Sequence, residues 1–218
     1  MPTTSRITAL VVSCALAAAA CSSNSPTVDA SAYLAFREQP TACGAARPDA
    51  ATRMSFEAPD DMGVTGPIGV IIQTSCGDLA ITLDPAAAPA TVNSFVFLAE
   101  QGYFDGTAVH RVAPGFVVQM GDPNAGGGGG LPGYRLPDEL PPAGYVYPQY
   151  VVAMANAGPN TGGSQFFITL EELPLPPNYT VFGVVNDGFE ALAAMAAVPL
   201  AANSALGEIS RPTETIYL

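Results

Sequence analysis

One arginine sits where the surrounding pattern asks for apolar side chains. In Tyr103–Pro123, YFDGTAVHRVAPGFVVQMGDP, the residues Val109, Val112, Phe116, Val117 and Val118 form an apolar run, and Arg111 lies inside it. Alternation over Thr107–Val112 and Phe116–Met120 predicts two short strands. Pro114-Gly115 between them is a turn dipeptide. Arg111 then falls near the end of one arm of a hairpin, with Phe116 and Gln119 on the other. A guanidinium is expensive to desolvate without partners. Such an arginine either has buried partners, faces a site, or lies in water on an edge strand. Facing a site, it would act as a two-pronged donor that never deprotonates. His110 beside it is the chain's one histidine and the obvious candidate for a general base, although a lone histidine is more often structural.

A second segment bears on the choice. FDGTAVHRVAPGFVVQMGD resembles the cyclophilin signature, in which His-Arg precedes a Pro-Gly-Phe turn and a Gln-x-Gly-Asp strand. Met154–Phe167, MANAGPNTGGSQFF, is similar to the other cyclophilin block almost residue for residue. The two blocks stand in the family's order and at roughly its separation. The resemblance covers about Val70–Leu218.

The resemblance implies a peptidyl-prolyl cis-trans isomerase. It implies Arg111, Phe116 and Gln119 as the catalytic set, with Gln119 orienting Arg111. Phe116, Phe167 and the Leu175 region would floor a proline slot, slightly shallower at Val117, which stands where many members carry Met. The backbone of Asn156 would hold the residue before proline. Ala155 and Gln165 would line the neighbouring subsite, and Tyr179 would stand where eukaryotic members often have His. Rotation about an amide needs no nucleophile, metal or cofactor and moves no proton, which leaves His110 structural. The partners implied are proline-containing peptides or protein clients. Many members use a tryptophan to clasp cyclosporin. This chain has none; Leu175 or Pro174 takes that place, so weak cyclosporin binding is expected. An alternative reading is a proline-binding chaperone or adaptor on the same scaffold, with turnover incidental.

The elements that must carry these residues are readable in outline. Strands are predicted at Val70–Thr74, Leu79–Leu83, Tyr150–Ala155, Gln165–Leu170, Thr180–Val185 and Glu214–Leu218. Val92, Phe95, Val96 and Ala99 recur at helical spacing over Pro89–Gln101, with Pro89 suited to a first turn. A second helix is predicted at about Gly188–Val198. Many short strands with two helices suit a closed barrel. The resemblance supplies the count: a mainly β fold, an eight-stranded antiparallel β-barrel capped by two α-helices. Asn124–Tyr147 is the longest irregular stretch. Its five glycines, Gly126–Gly130, are not followed by a Gly-Lys-Ser/Thr, so a phosphate loop is excluded. Arg135, Asp138 and Glu139 read as a solvated charge cluster.

The chain has 218 residues and a net charge of −12, and all 7 basic residues are arginines. That excludes nucleic-acid binding, which depends on neutralising phosphates, and suits a soluble, self-repelling monomer. Residues 1–21 read as an export signal, with Arg6 as the n-region and Ile7–Ala20 as an apolar run too short to span a bilayer comfortably. The run ends in small residues before Cys21, which resembles a bacterial lipoprotein processing site. Cys21 is the expected lipidation position, anchoring an exported protein to the membrane by lipid alone. Residues 22–68 form a tether and extension, in which Tyr33-Leu34-Ala35-Phe36 could dock on the domain at 69–218. Setting Cys14 and Cys21 aside leaves Cys43 and Cys76. In an exported chain that pair reads as a disulfide. A metal pair is the weaker reading, since His110 is the only histidine and no further Cys is available for a four-ligand site.

Overall fold

The computed structural model describes residues 31–126 and 131–218. The expected signal, Cys21 and residues 22–30 lie outside them, as do four of the five glycines. In chain order the elements are helix α1 (Ser31–Glu38), strands β1 (Ile68–Ile72) and β2 (Leu79–Leu83), helix α2 (Pro89–Glu100), strands β3 (Arg111–Ala113), β4 (Val117–Met120), β5 (Val151–Met154), β6 (Phe166–Thr169) and β7 (Val181–Asp187), helix α3 (Phe189–Ala196), and strands β8 (Leu200–Asn203) and β9 (Glu208–Pro212). A 3₁₀ turn covers Ala42–Gly44. The first seven strands form one antiparallel sheet in the order β1-β2-β7-β5-β6-β4-β3, and β8 and β9 pair as a separate ribbon.

The fold is mainly β, as expected, but the closed eight-stranded barrel and the count of two helices need correction. Among the described residues there are nine strands and three α-helices, and β1 and β3 are free edges of an open hydrogen-bonded sheet. The expected terminal strand, Glu214–Leu218, makes isolated bridges instead of a ladder: Thr41 with Thr215, and Ala108 with Tyr217. Its backbone is divided among three neighbours, one of them Ser75, whose N–H donates to the Tyr217 carbonyl. Thr215 N–H donates to Pro40 and its carbonyl accepts from Ala42 N–H, while Val109 N–H donates to Ile216 and Leu218 N–H to Thr107. No neighbour runs beside it long enough to count as a strand partner.

The N-terminal extension therefore supplies part of the packing. Tyr33 and Phe36, three apart on α1, are both buried. The Tyr33 hydroxyl donates to the Gly106 carbonyl at 2.8 Å and accepts from Ala51 N–H at 2.8 Å. Cys43 and Cys76 form a disulfide with their Cα atoms 5.1 Å apart, tying the 3₁₀ turn to the β1–β2 turn. Among the described residues no helix is long and apolar enough to cross a membrane.

Between α2 and the sheet lies an aromatic core. Phe95 meets Phe104, Phe166 and Phe182 with ring centroids 5.2–5.5 Å apart. Helix α2 starts at Pro89, but its N-cap, Ala88, has no capping side chain. The cap comes from a distant loop. The Glu139 carboxylate accepts from Ala90 N–H and Thr91 N–H, both at 2.9 Å. Glu139 is thus a helix cap and not part of a solvated cluster. Asp138 likewise exchanges two hydrogen bonds with Asn160, while Arg135 stays exposed at the rim of a cleft. A carboxylate on two free N–H groups also complements the helix dipole. Glu139→Ala is expected to lower unfolding free energy by about 1–2 kcal/mol, read as a lower midpoint in urea with an unchanged slope.

Candidate active site

The two faces of the sheet divide the labour. Val112, Val118, Ile168 and Val152 align across β3, β4, β6 and β5, and all four are buried in the main core. The neighbouring row on the opposite face is Arg111, Gln119, Phe167 and Ala153. Alternation along each strand puts Val117 on that face too. A smaller apolar cluster covers it, with Val117, Ala153 and Phe167 buried and Phe116, Ala155, Leu175 and Tyr179 partly buried around them. Strand register alone therefore sets one charged side chain at the margin of an apolar floor.

This face opens into a cleft of about 960 Å³. Arg111, Phe116, Gln119 and Gln165 line one side of it. Val117, Phe167, Leu175 and Tyr179 make the apolar part, and Ala155 and Asn156 stand at its edge. The structure thus brings all ten proposed catalytic and substrate-binding positions around one space. The Phe167 and Tyr179 rings meet edge to face at 5.3 Å. The Asn156 side-chain amide donates to the Asn178 carbonyl at 2.8 Å, which ties the Asn156 loop to the turn before Tyr179.

Arg111 is held from three directions. Its guanidinium carbon lies 5.3 Å from the centre of the Phe116 ring, a cation–π distance. Its Nη1 donates to Gln119 Oε1 at 3.4 Å. The shorter contacts run to a residue not expected from sequence: Nε donates to Glu208 Oε1 at 2.6 Å and Nη2 to Glu208 Oε2 at 3.1 Å. The expected Gln119 contact is present but long, and the Glu208 pair beside it is short and bidentate. The Arg111 hydrogen bond holds the Glu208 carboxyl below the usual glutamate range. The pairing is thus present from neutral pH down past the ordinary glutamate value, and is lost only as pH falls through the lowered one.

Gln119 is fixed from its other end. Its amide nitrogen donates to Gln165 Oε1 at 2.9 Å, and Gln165 Nε2 donates to Asp122 Oδ2 at 2.9 Å. Asp122 is fully buried and also accepts from Asn124 and Gly126 N–H groups. The turn that places it needs glycine at Gly121, whose φ is +85° and where a Cβ would collide with the Ser164 carbonyl oxygen. His110 is buried beside this chain. Burial lowers its pKa, against the nearby Asp122 charge, which favours the uncharged imidazole. Among the described residues no group of three His, Cys, Asp or Glu side chains is placed to hold a metal.

The arrangement is a guanidinium with fixed orientation, an amide relay behind it and an apolar slot beside it. Residues 69–216 match the family model described as cyclophilin type peptidyl-prolyl cis-trans isomerase/CLD. The chain belongs to the cyclophilin family. It is 39% identical over 166 residues to a Mycobacterium tuberculosis protein named "Probable peptidyl-prolyl cis-trans isomerase B", covering 69% of this chain and 53% of that protein. It spans about half the length of such mycobacterial relatives. It is 44% identical over 140 residues to "Peptidyl-prolyl cis-trans isomerase-like 1" of Rhizopus delemar, covering 63% of this chain and 85% of that one. A Cryptosporidium parvum cyclophilin, solved in the presence of the dipeptide Ala-Pro, superposes with a TM-score of 0.62 at 36% identity, over 69% of this chain and 95% of its own.

Two members of this cyclophilin site escape sequence reading. Asp122 ends the Gln-x-Gly-Asp motif and is detectable there as an acid following a strand. Glu208 leaves no local trace, since it lies 97 positions from the arginine it grips.

Proposed function

We propose that this chain catalyses cis-trans isomerisation of X-Pro peptide bonds in proteins folding outside the cytoplasm. The observation that carries the reading is Arg111, fixed on the same sheet face as the floor formed by Phe167 and Val117. An X-Pro amide prefers trans only slightly, yet rotation meets a barrier of ~18–20 kcal/mol. The barrier is the resonance between the prolyl nitrogen and its carbonyl. A proline ring in the slot would leave its amide nitrogen beside Arg111. A guanidinium N–H donated to that nitrogen as the amide twists localises the lone pair and removes double-bond character. Uncatalysed exchange takes tens of seconds; reaching hundreds per second requires about 6 kcal/mol of transition-state preference. A partly buried, pre-aimed donor with a shaped pocket is of that order.

A protease that cleaves only the trans X-Pro form reports the activity directly. Purified chain should accelerate the slow phase of cleavage of an Ala-Pro peptide; an unchanged slow phase would refute the reading. The apolar edge at Leu175 offers no indole N–H, so cyclosporin should bind far more weakly than nanomolar, and a titration giving nanomolar affinity would contradict the slot assignment. We also propose that the chain is exported, works as a monomer and is anchored through lipidated Cys21. The Cys43–Cys76 disulfide supports an oxidising compartment. Mass spectrometry of the mature N-terminus tests the anchor: a diacylated Cys21 supports it, and an unmodified or differently cleaved end refutes it.

A further inference from the structure

We propose that Glu208 is a positioning residue for the isomerase site: the β8–β9 hairpin exists in this chain partly to hold the Arg111 guanidinium at its working angle. This rests on the isomerase reading above and adds a residue to it. Strand β9 packs against β3 although it pairs only with β8 among the described strands. Glu208 opens β9, opposite Asn203 on β8. Its carboxylate meets Arg111 side-on, Oε1 on Nε at 2.6 Å and Oε2 on Nη2 at 3.1 Å.

A guanidinium has five N–H groups in one plane. Glu208 takes two of them and Gln119 a third, at the longer distance of 3.4 Å. Two remain, one on Nη1 and one on Nη2. A bidentate carboxylate fixes the plane as well as the position, which a single bond cannot do. The guanidinium carbon also lies over the Phe116 ring, 5.3 Å from its centre. Residual freedom is therefore small, and the unused N–H groups keep one direction. Neither side chain is fully desolvated: 16% of the Arg111 side chain and 33% of the Glu208 side chain are exposed. The pair thus avoids the full cost of a buried ion pair while still fixing orientation.

The same hairpin walls the cleft. Ala202, Asn203, Ser204, Ala205 and Leu206 all line it, so a peptide entering the slot meets the body that carries Glu208. The hairpin turn is closed by Leu206 and Gly207 N–H groups donating to the Asn203 carbonyl. That bonding is backbone and does not need the Glu208 side chain, so variants at Glu208 should keep the hairpin.

The test compares wild type, Glu208→Gln and Glu208→Ala on an Ala-Pro peptide, with the Arg111 Nε–H proton followed by NMR. In the wild type that proton should be resolved, shifted downfield and slow to exchange. Glu208→Ala should lose the signal and lower kcat by about ten-fold, with KM within about two-fold, because orientation acts on the twisted amide more than on binding. Glu208→Gln keeps an acceptor and should recover part of both. Wild-type turnover matched by Glu208→Ala, or an Nε–H signal that survives the substitution, overturns the positioning role while leaving the isomerase reading intact. A wild type without turnover overturns the isomerase reading, and the positioning proposal falls with it.

Discussion

Arg111→Ala should lower kcat/KM for an Ala-Pro peptide by about 10²–10³-fold, the usual cost of removing one donor aimed at a developing charge. Most of the loss should appear in kcat. The proline ring would rest on Phe167, Val117 and Phe116, which the substitution leaves in place, so KM should change little. Stability should change little as well. The Arg111 backbone stays paired to Gln119 within the sheet. The ion pair it loses is partly exposed, and such pairs contribute roughly 0–1 kcal/mol. A melting temperature within a few degrees of wild type would separate lost chemistry from lost fold. Arg111→Lys should rescue poorly, because an ammonium cannot reproduce the planar fork that meets Glu208 at two atoms and leaves N–H groups for substrate.

Removing both half-cystines, as Cys43→Ser with Cys76→Ser, should destabilise the protein by about 3–4 kcal/mol, the chain-entropy cost of opening a loop of this size. The bridged positions are 33 apart in sequence. For a chain of this length each kcal/mol shifts the melting temperature by about 2–4 °C, so the expected fall is about 6–16 °C. The loss should be accompanied by release of the extension. Besides the disulfide, the contacts that hold α1 and the following turn include Tyr33, Phe36 under Arg211, Arg37 over Tyr217, and the backbone and hydroxyl bonds of Thr215. Cleavage by a protease between Ser31 and Asp61 should therefore become faster in the double variant, with isomerase activity largely retained. An unchanged melting temperature would mean that the extension is held by its other contacts alone.

What could be read beforehand divides along a physical line. The β3–β4 hairpin and β6 were legible because their periodicity is local and both faces are strongly typed: Val112, Val118 and Ile168 inward, Arg111, Gln119 and Phe167 outward. Helix α2 was legible from Val92, Phe95, Val96 and Ala99, and its start from Pro89. Its cap was not, because Glu139 comes from a loop about fifty positions on. Helix α1 left a weak signal in the Tyr33 and Phe36 spacing, sufficient to suggest docking and too short to establish a helix. The β8–β9 ribbon was missed because LAAN and EISRP offer alanine, asparagine and proline where strand propensity asks for branched or aromatic residues. The missed ribbon took Glu208 with it.

The barrel illustrates a different limit. Sequence similarity supplied a closed strand count, but closure depends on which segment the last residues choose as partner. Here Thr215 turns to the N-terminal extension, a segment outside the family match. The partners of the last residues are spread along the chain, at Pro40, Ser75 and Thr107, and no window of local pattern contains them.

The central claim is that one oriented guanidinium beside an apolar slot lowers the barrier to prolyl rotation. Exchange NMR on an Ala-Pro peptide with substoichiometric protein tests it most directly, since it sees cis and trans forms interconvert without a coupled enzyme. The account predicts cis–trans exchange cross-peaks with wild type and their loss with Arg111→Ala, while both proteins still shift the peptide resonances. Equal exchange with the two proteins, or wild-type binding without exchange, would contradict it.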